Sequence, residues 1–344
     1  MNVAAYSGGV DWRTLLVGSL GAGGKGYFVL DVTNPSNFVD PGAGSSAIVR
    51  LDTTGTTDPN IGHIFATPVL NEVADSGQIV RVNDSVAGGR WAVILGNGYN
   101  STNQRPALIV QYLDGNMDRR VIPVTAPSAT GQGNGLGAPR PVDLNGDGKV
   151  DLVYAGDLKG NLWKFDISSS NTSNWGVGFN GNPLFVARDP QGTTQPITAA
   201  PYWDRGPNNL GGIQVLFGTG INLSGTDSAS TQVQTVYSVW DNSTYSWNPT
   251  KVSGTDGTAI TGSRNSTLVE QTQTSASANG RYFETSRNGV IYSRANLATA
   301  RRGWFFDLPV TRERVLAHPN VFEGQQVLVN SVVPAAGASG ETCN

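Results

Sequence analysis

Between Asp143 and Asp151 the chain reads Asp-Leu-Asn-Gly-Asp-Gly-Lys-Val-Asp, with oxygen-bearing side chains at the first, third, fifth and ninth positions and a glycine at the sixth. That is the spacing of a calcium loop. Calcium is a hard cation that takes about six to eight oxygen ligands, and a loop of this pattern supplies carboxylates, an amide oxygen and the backbone carbonyl of its seventh residue. The candidate ligands are therefore Asp143, Asn145, Asp147, the carbonyl of Lys149, and Asp151. Gly148 lets the chain turn sharply enough to bring both halves of the loop round one ion, because glycine reaches positive φ without steric cost.

The flanking residues decide what kind of loop this is. An EF-hand places a bidentate glutamate at the twelfth position, between two helices; here the twelfth residue is Tyr154 and neither flank reads as helix. Pro139 and Pro141 favour extended chain upstream, and Leu152-Val153-Tyr154-Ala155-Gly156 downstream is a short apolar run ending on a turn residue. The ion is expected to clip a strand-loop-strand connection. The competing reading is an Asp/Asn/Gly turn whose side chains only cap their own backbone. Three converging carboxylates repel one another unless a cation stands between them, which favours the ion.

Along the rest of the chain one arrangement recurs four times: an apolar run ending in glycine, a turn, then an apolar-aromatic run closing on aspartate. The copies are Leu15–Gly18 to Tyr27–Asp31, Ala92–Gly96 to Leu108–Asp114, Leu152–Gly156 to Leu162–Asp166, and Gln214–Gly218 to Thr235–Asp241. Each reads as a hairpin, and the spacing of about 60 to 80 residues suits a four-stranded unit with long loops. Proline-containing extended segments at 66–70, 138–142 and 199–203 precede three of these hairpins and read as innermost strands. Together they describe an all-β chain, the blades of a β-propeller, in which glycine marks close approach of backbones. The run Gly303–Asp307, followed by Gln326–Asn330, reads as the start of a further blade. The expectation is one propeller domain over 1–344, incomplete at both ends and so a piece of a longer protein, with long polar loops around 224–281.

Composition agrees. There are 44 glycines and 18 prolines, which calls for many tight turns, and only 14% of residues are charged. A net charge of −3 with scattered Lys and Arg offers no basic face for nucleic acid. No stretch approaches the roughly 18 to 20 apolar residues of a membrane-spanning helix, and the first residues lack the pattern of a secretory signal. The single cysteine, Cys343, has no partner within the chain.

The segments Thr14–Gly26 with Tyr27–Thr33, Trp91–Ser101, and Asp143–Asp151 running on through Val153–Asp166 resemble the C-terminal β-propeller of the PilC/PilY family of type IV pilus biogenesis and tip-adhesin proteins. The resemblance covers nearly the whole chain. It implies that the 143–151 loop is the family's calcium site, with the ligand role falling on Asp143, Asn145, Asp147, Lys149 and Asp151. It further implies a bacterial, extracellular, pilus-associated protein at the cell surface, outer membrane or pilus tip. Its expected partners are pilins or minor pilins and a host or abiotic surface, with calcium occupancy governing pilus extension against retraction, twitching motility and attachment. The Arg-Gly-Asp motif of some members is absent.

Other chemistry is poorly supported, and no enzyme is expected. Gly21-Ala22-Gly23-Gly24-Lys25-Gly26 matches a dinucleotide fingerprint, but the β-rich run Tyr27–Leu30 follows it where a helix is needed, so it reads as a hairpin turn. With two histidines, His63 and His318, and no Gly-x-Ser-x-Gly, a Ser/His/acid hydrolase lacks its parts. Asp31, Asp114, Asp166 and Asp241 occupy one repeat position and read as turn caps rather than paired acids. Trp91, Trp163, Trp203 and Trp304 read as packing residues. The alternative function is a quinoprotein-like dehydrogenase, since Gly160–Asp166 is similar to the repeats of quinone-cofactor propellers; a vicinal cysteine pair is missing. A propeller stabilised by calcium without regulation is the third reading.

Overall fold

The computed structural model describes residues 2–3, 12–38, 48–55, 57–65, 79–86, 88–129, 133–248, 251–276, 283–296, 300–322 and 326–335. They form sheets in chain order. The first holds Asn2–Val3 (β1), Arg13–Ser19 (β2), Tyr27–Asp31 (β3) and Val49–Asp52 (β4), all antiparallel. The second holds Ile79–Val82 (β5), Arg90–Gly96 (β6), Ala107–Tyr112 (β7) and Arg119–Pro123 (β8). In the third, Arg140–Val142 (β9) pairs with Leu152–Gly156 (β11), while the intervening Lys149–Val150 (β10) leaves to run parallel to β5. Asn161–Asp166 (β12), Gly176–Val177 (β13) and Phe185–Val186 (β14) complete it.

The fourth sheet carries Tyr202–Arg205 (β15), Ile213–Gly218 (β16) and Thr235–Asp241 (β17). Beyond them come the hairpin Thr244–Asn248 (β18) with Lys251–Thr255 (β19), then Val269–Gln271 (β20), the pair Gln273–Ala276 (β21) and Phe283–Thr285 (β22), and Gly303–Asp307 (β23). Its order is β15-β16-β17-β23-β20. Four short strands follow: Arg314–Val315 (β24) pairs with Ser331–Val332 (β27), and Asn320–Phe322 (β25) with Gln326–Leu328 (β26).

All four expected hairpins form, as β2-β3, β6-β7, β11-β12 and β16-β17. All six residues of β7 are buried, which explains why it opens on the continuous apolar run 107–110 rather than an alternation. The glycines that end β6 and β11 are steric requirements: a Cβ on Gly96 would lie 2.0 Å from the Gly137 carbonyl, and one on Gly156 2.2 Å from the Ile197 side chain. Two expected inner strands appear as β9 and β15, the latter beginning at Tyr202; the third, 66–70, lies outside the described residues, as does Cys343.

Two expectations change. Gly303–Asp307 does not open a further blade: it is antiparallel to β17, with Phe306 opposite Val236 and Asp307 opposite Thr235. An ion pair from Arg264 to Asp307 and a hydrogen bond from the Thr235 hydroxyl hold that register across the long insertion. The 224–281 stretch is not simply loop. It contains the helices Gly225–Ala229 (α1), capped by the Ser224 hydroxyl accepting from the Asp227 amide, and Arg264–Thr267 (α2), together with β17 to β21. Its Ser and Thr content reflects caps and hairpin turns, which sequence bias alone does not distinguish from loop.

Within the span read from sequence as one domain, the chain sorts into two compact units, Met1–Ala155 with Lys164–Gly181 and Trp247–Ser253, and Gly156–Trp163 with Asn182–Ser246 and Gly254–Asn344. Each has its own apolar interior. In the first, Leu15, Tyr27, Val29, Ile61, Ile64, Val93, Leu95, Ile109 and Leu113 pack together; in the second, Phe217 stacks on Tyr237 at 5.3 Å between centroids, with Phe185 and Phe305 tilted against the same ring.

Candidate metal centre

The 143–151 loop belongs wholly to the first unit. It leaves β9 at Val142 and returns through β10 to β11, where Leu152 pairs with Val142 and the Asp151 amide donates to the Val142 carbonyl at 2.9 Å. The loop therefore closes on itself across a strand pair, as the flanking prolines and apolar run require. Gly146 and Gly148 sit at φ 73° and 77°, and a Cβ on either would meet nothing within 4 Å, so backbone conformation, not crowding, selects glycine at both.

Asp143 is buried and organises the first half. Its Oδ1 accepts from the amides of Asn145 (3.2 Å) and Gly146 (2.8 Å), and its Oδ2 from Gly148 (2.8 Å). Asn145 Oδ1 accepts from the Asp147 amide at 3.4 Å, and Asp147 Oδ1 from the Lys149 amide at 3.0 Å. Asp147 Oδ2 also meets the Lys149 ammonium at 2.8 Å. Asp151, 2% exposed, closes the loop by accepting from the Leu144 amide at 2.9 Å through Oδ2. All five candidate ligands thus lie in one loop around one backbone turn. They are not drawn into a finished cage: among the described residues no three acidic, histidine or cysteine side chains cluster as metal ligands do. Their oxygens are held by loop amides and, at Asp147, by the Lys149 side chain.

The donor set nevertheless fits a hard dication. Three carboxylates, one amide oxygen and one main-chain carbonyl are all-oxygen and flexible enough for calcium. Neither Asp143 nor Asp151 forms an ion pair with a Lys or Arg among the described residues. Burial pushes the Asp151 carboxyl up to about 7, and the charges of Asp143 and Asp147 push the same way, against the Leu144 amide and Asn83. A buried carboxylate in that position lacks the positive charge that would keep it ionised, which a cation supplies.

One residue of this site was not legible in the sequence. Asn83, the residue just after β5, is buried; its Nδ2 donates to the Val150 carbonyl at 3.1 Å and stands 3.5 Å from Asp151 Oδ1. Only the parallel pairing of β10 with β5 brings it there, across a sequence gap that no short-range pattern spans.

The residues set aside on sequence behave as structural groups. Gly21–Gly23 is a 3₁₀ turn leading into β3, with no helix to receive a phosphate. His63 bridges Tyr99 through its backbone, and its Nδ1 lies 3.0 Å from the Gly21 carbonyl. Asp31, Asp166 and Asp241 each accept the amide of the residue two ahead, Thr33, Ser168 and Ser243, as turn caps do. Asp114 differs in accepting the Trp91 amide from the neighbouring strand; it pairs with Arg90 much as Asp31 pairs with Arg13. Trp163 is fully buried, while Trp91, Trp203 and Trp304 are half-buried.

The chain matches the family model of the PilY1 β-propeller domain over residues 2–281. It belongs to the PilY1 β-propeller family. It is 34% identical to the type IV pilus biogenesis factor PilY1 of Pseudomonas aeruginosa PAO1, over 98% of this chain and 29% of that protein. A PilY1 homolog from Xylella fastidiosa Temecula1 is 33% identical over 97% of this chain and 21% of its own length. Among solved structures, the crystal structure of the Pseudomonas aeruginosa PilY1 C-terminal domain superposes with a TM-score of 0.74 at 32% identity, covering 96% of this chain and 67% of that one. The fold class is therefore the all-β propeller expected from the repeats. The chain spans less than a third of the length of the curated relatives it matches. No helix among the described residues is long and apolar enough to cross a membrane.

Proposed function

We propose that this chain is the calcium-regulated, non-enzymatic propeller module of a bacterial type IV pilus biogenesis factor, acting outside the cell in association with the pilus. Its relatives carry the pilus biogenesis name. The observation that carries the calcium reading is the 143–151 loop, in which the buried carboxylates of Asp143 and Asp151 have no Lys or Arg partner among the described residues. Asp143, Asn145, Asp147, Asp151 and the Lys149 carbonyl would hold the ion, and the Lys149 ammonium would leave Asp147 as it arrives. The bound ion supplies positive charge and nothing else.

These residues orient oxygens and hold the β9-to-β11 turn. Without the ion the three carboxylates repel, and the loop is held by amide bonds and the Lys149–Asp147 ion pair; with it, one loop conformation is favoured. For occupancy to bias pilus extension against retraction, twitching or attachment, a partner such as a pilin or minor pilin must bind one state better than the other. Isothermal calorimetry on the 344-residue chain tests the reading. Calcium should bind with one site per chain, and Asp147→Ala or Asp151→Ala should weaken it strongly; unchanged affinity in both variants would refute the ligand assignment. Loss of twitching in cells carrying Asp151→Ala, with protein level unchanged, tests the pilus role.

A further inference from the structure

The loop is anchored to its own strands at Val142 and Leu152, yet the residue pair just before the last proposed ligand, Asp151, belongs to a different sheet. Lys149 and Val150 are the whole of β10, and their sheet partners are Arg81 and Val82 of β5, in parallel register. A two-residue strand makes few ladder bonds and stands at the low-stability end of any fold. What reinforces it is the next residue after β5. Asn83 reaches from that strand end to the Val150 carbonyl and toward the Asp151 carboxylate, so one buried amide touches both the bridging strand and a proposed ligand. The Asp151 carboxylate divides between the two sides, Oδ2 taking the Leu144 amide and Oδ1 facing Asn83.

We propose that Asn83 is the positioning residue that ties the ion site to the second sheet, so that an ion held by Lys149 and Asp151 tightens the parallel pairing of β10 with β5. This rests on the calcium reading above. The ligands at 149 and 151 bracket Val150; fixing both fixes its carbonyl, the atom Asn83 holds. The side chain is suited to the task because it donates without carrying charge. Aspartate at this position would add a fourth carboxylate beside Asp151, and alanine would leave the Val150 carbonyl without its donor in a buried place. Ion occupancy would then be felt on β5, the strand that pairs with β6 at the start of the second sheet, well outside the loop.

Hydrogen exchange read by mass spectrometry, run with and without calcium on the full 344-residue chain beside calorimetry, tests this. In the unmodified chain calcium should slow exchange in peptides covering 79–83 and 149–151 as well as 143–148. Asn83→Ala should bind calcium about tenfold more weakly and lose the slowing at 79–83 while keeping it at 143–148. Calcium binding to the unmodified chain with exchange at 79–83 unchanged would overturn the coupling and leave the calcium reading standing. So would Asn83→Ala with both affinity and the 79–83 effect intact. No calcium binding to the unmodified chain would overturn both. Should Asn83→Ala not fold, the unmodified chain and Asn83→Ser, which keeps a short donor, decide the matter.

Discussion

Two acidic turns lie on either side of β11 in the sequence, and they treat their carboxylates in opposite ways. The turn after it is built on Asp157, which is fully buried. Its Oδ1 accepts from the amides of Lys159 and Asn161, each at 2.9 Å, and its Oδ2 from Asn161 Nδ2 at 2.8 Å and Trp163 Nε1 at 2.9 Å. Four neutral donors meet this one charge within the turn. The turn before β11 gathers three carboxylates in nine residues; amides reach all three, but among the described residues only Asp147 meets a cation, the Lys149 ammonium. The difference teaches that burial of an aspartate does not mark an ion site. An excess of carboxylate over available positive charge is what the calcium proposal rests on.

That contrast can be broken in several ways. The largest effect should come from Asp157→Ala, which strands two buried side-chain donors and a buried amide; we expect a loss of about 3 kcal/mol or more, the same with calcium or with chelator, read by urea unfolding. Next, saturating calcium over chelator should stabilise the unmodified chain by about 2.7 kcal/mol at a hundredfold excess over Kd, read by the same method. Asp151→Asn should abolish that gain and yet be at least as stable as the unmodified chain in chelator, because it removes a repelling charge; a variant that is weaker in chelator would show the carboxylate to be structural, like Asp157. A further effect is pH dependence. In chelator the folded chain holds the Asp151 proton up to about 7, whereas the unfolded chain releases it near the ordinary value of about 3.9. The folded state therefore binds the extra proton between those values, and this group makes stability fall as pH rises from about 4 to about 7; calcium should flatten the profile. Smallest, Gly148→Ala should cost about 1 to 2 kcal/mol, since its φ of 77° is unfavourable for alanine though space is free.

The sequence revealed most where its signals are local. Glycine-terminated apolar runs located the four hairpins, because the close approach at Gly96 and Gly156 admits no side chain. The extended flanks of the 143–151 loop were legible from two prolines and an apolar run, and the caps at Asp31, Asp166 and Asp241 from their repeat position. What escaped depends on contacts between distant segments. The place of Gly303–Asp307 beside β17 is set by register and by Arg264, far along the chain. The role of Asn83 exists only because a two-residue strand crosses to another sheet. Asp114 looked like its repeat mates, yet it takes the Trp91 amide of the neighbouring strand.

The central claim, that the loop ending at Asp151 and not the turn at Asp157 is the ion site, is tested most directly by thermal melting across a calcium titration of the unmodified chain and of Asp151→Ala. The account predicts a melting temperature that climbs with each increment of calcium above Kd in the unmodified chain and stays level in the variant. Equal climbs in both, or none in either, would contradict it.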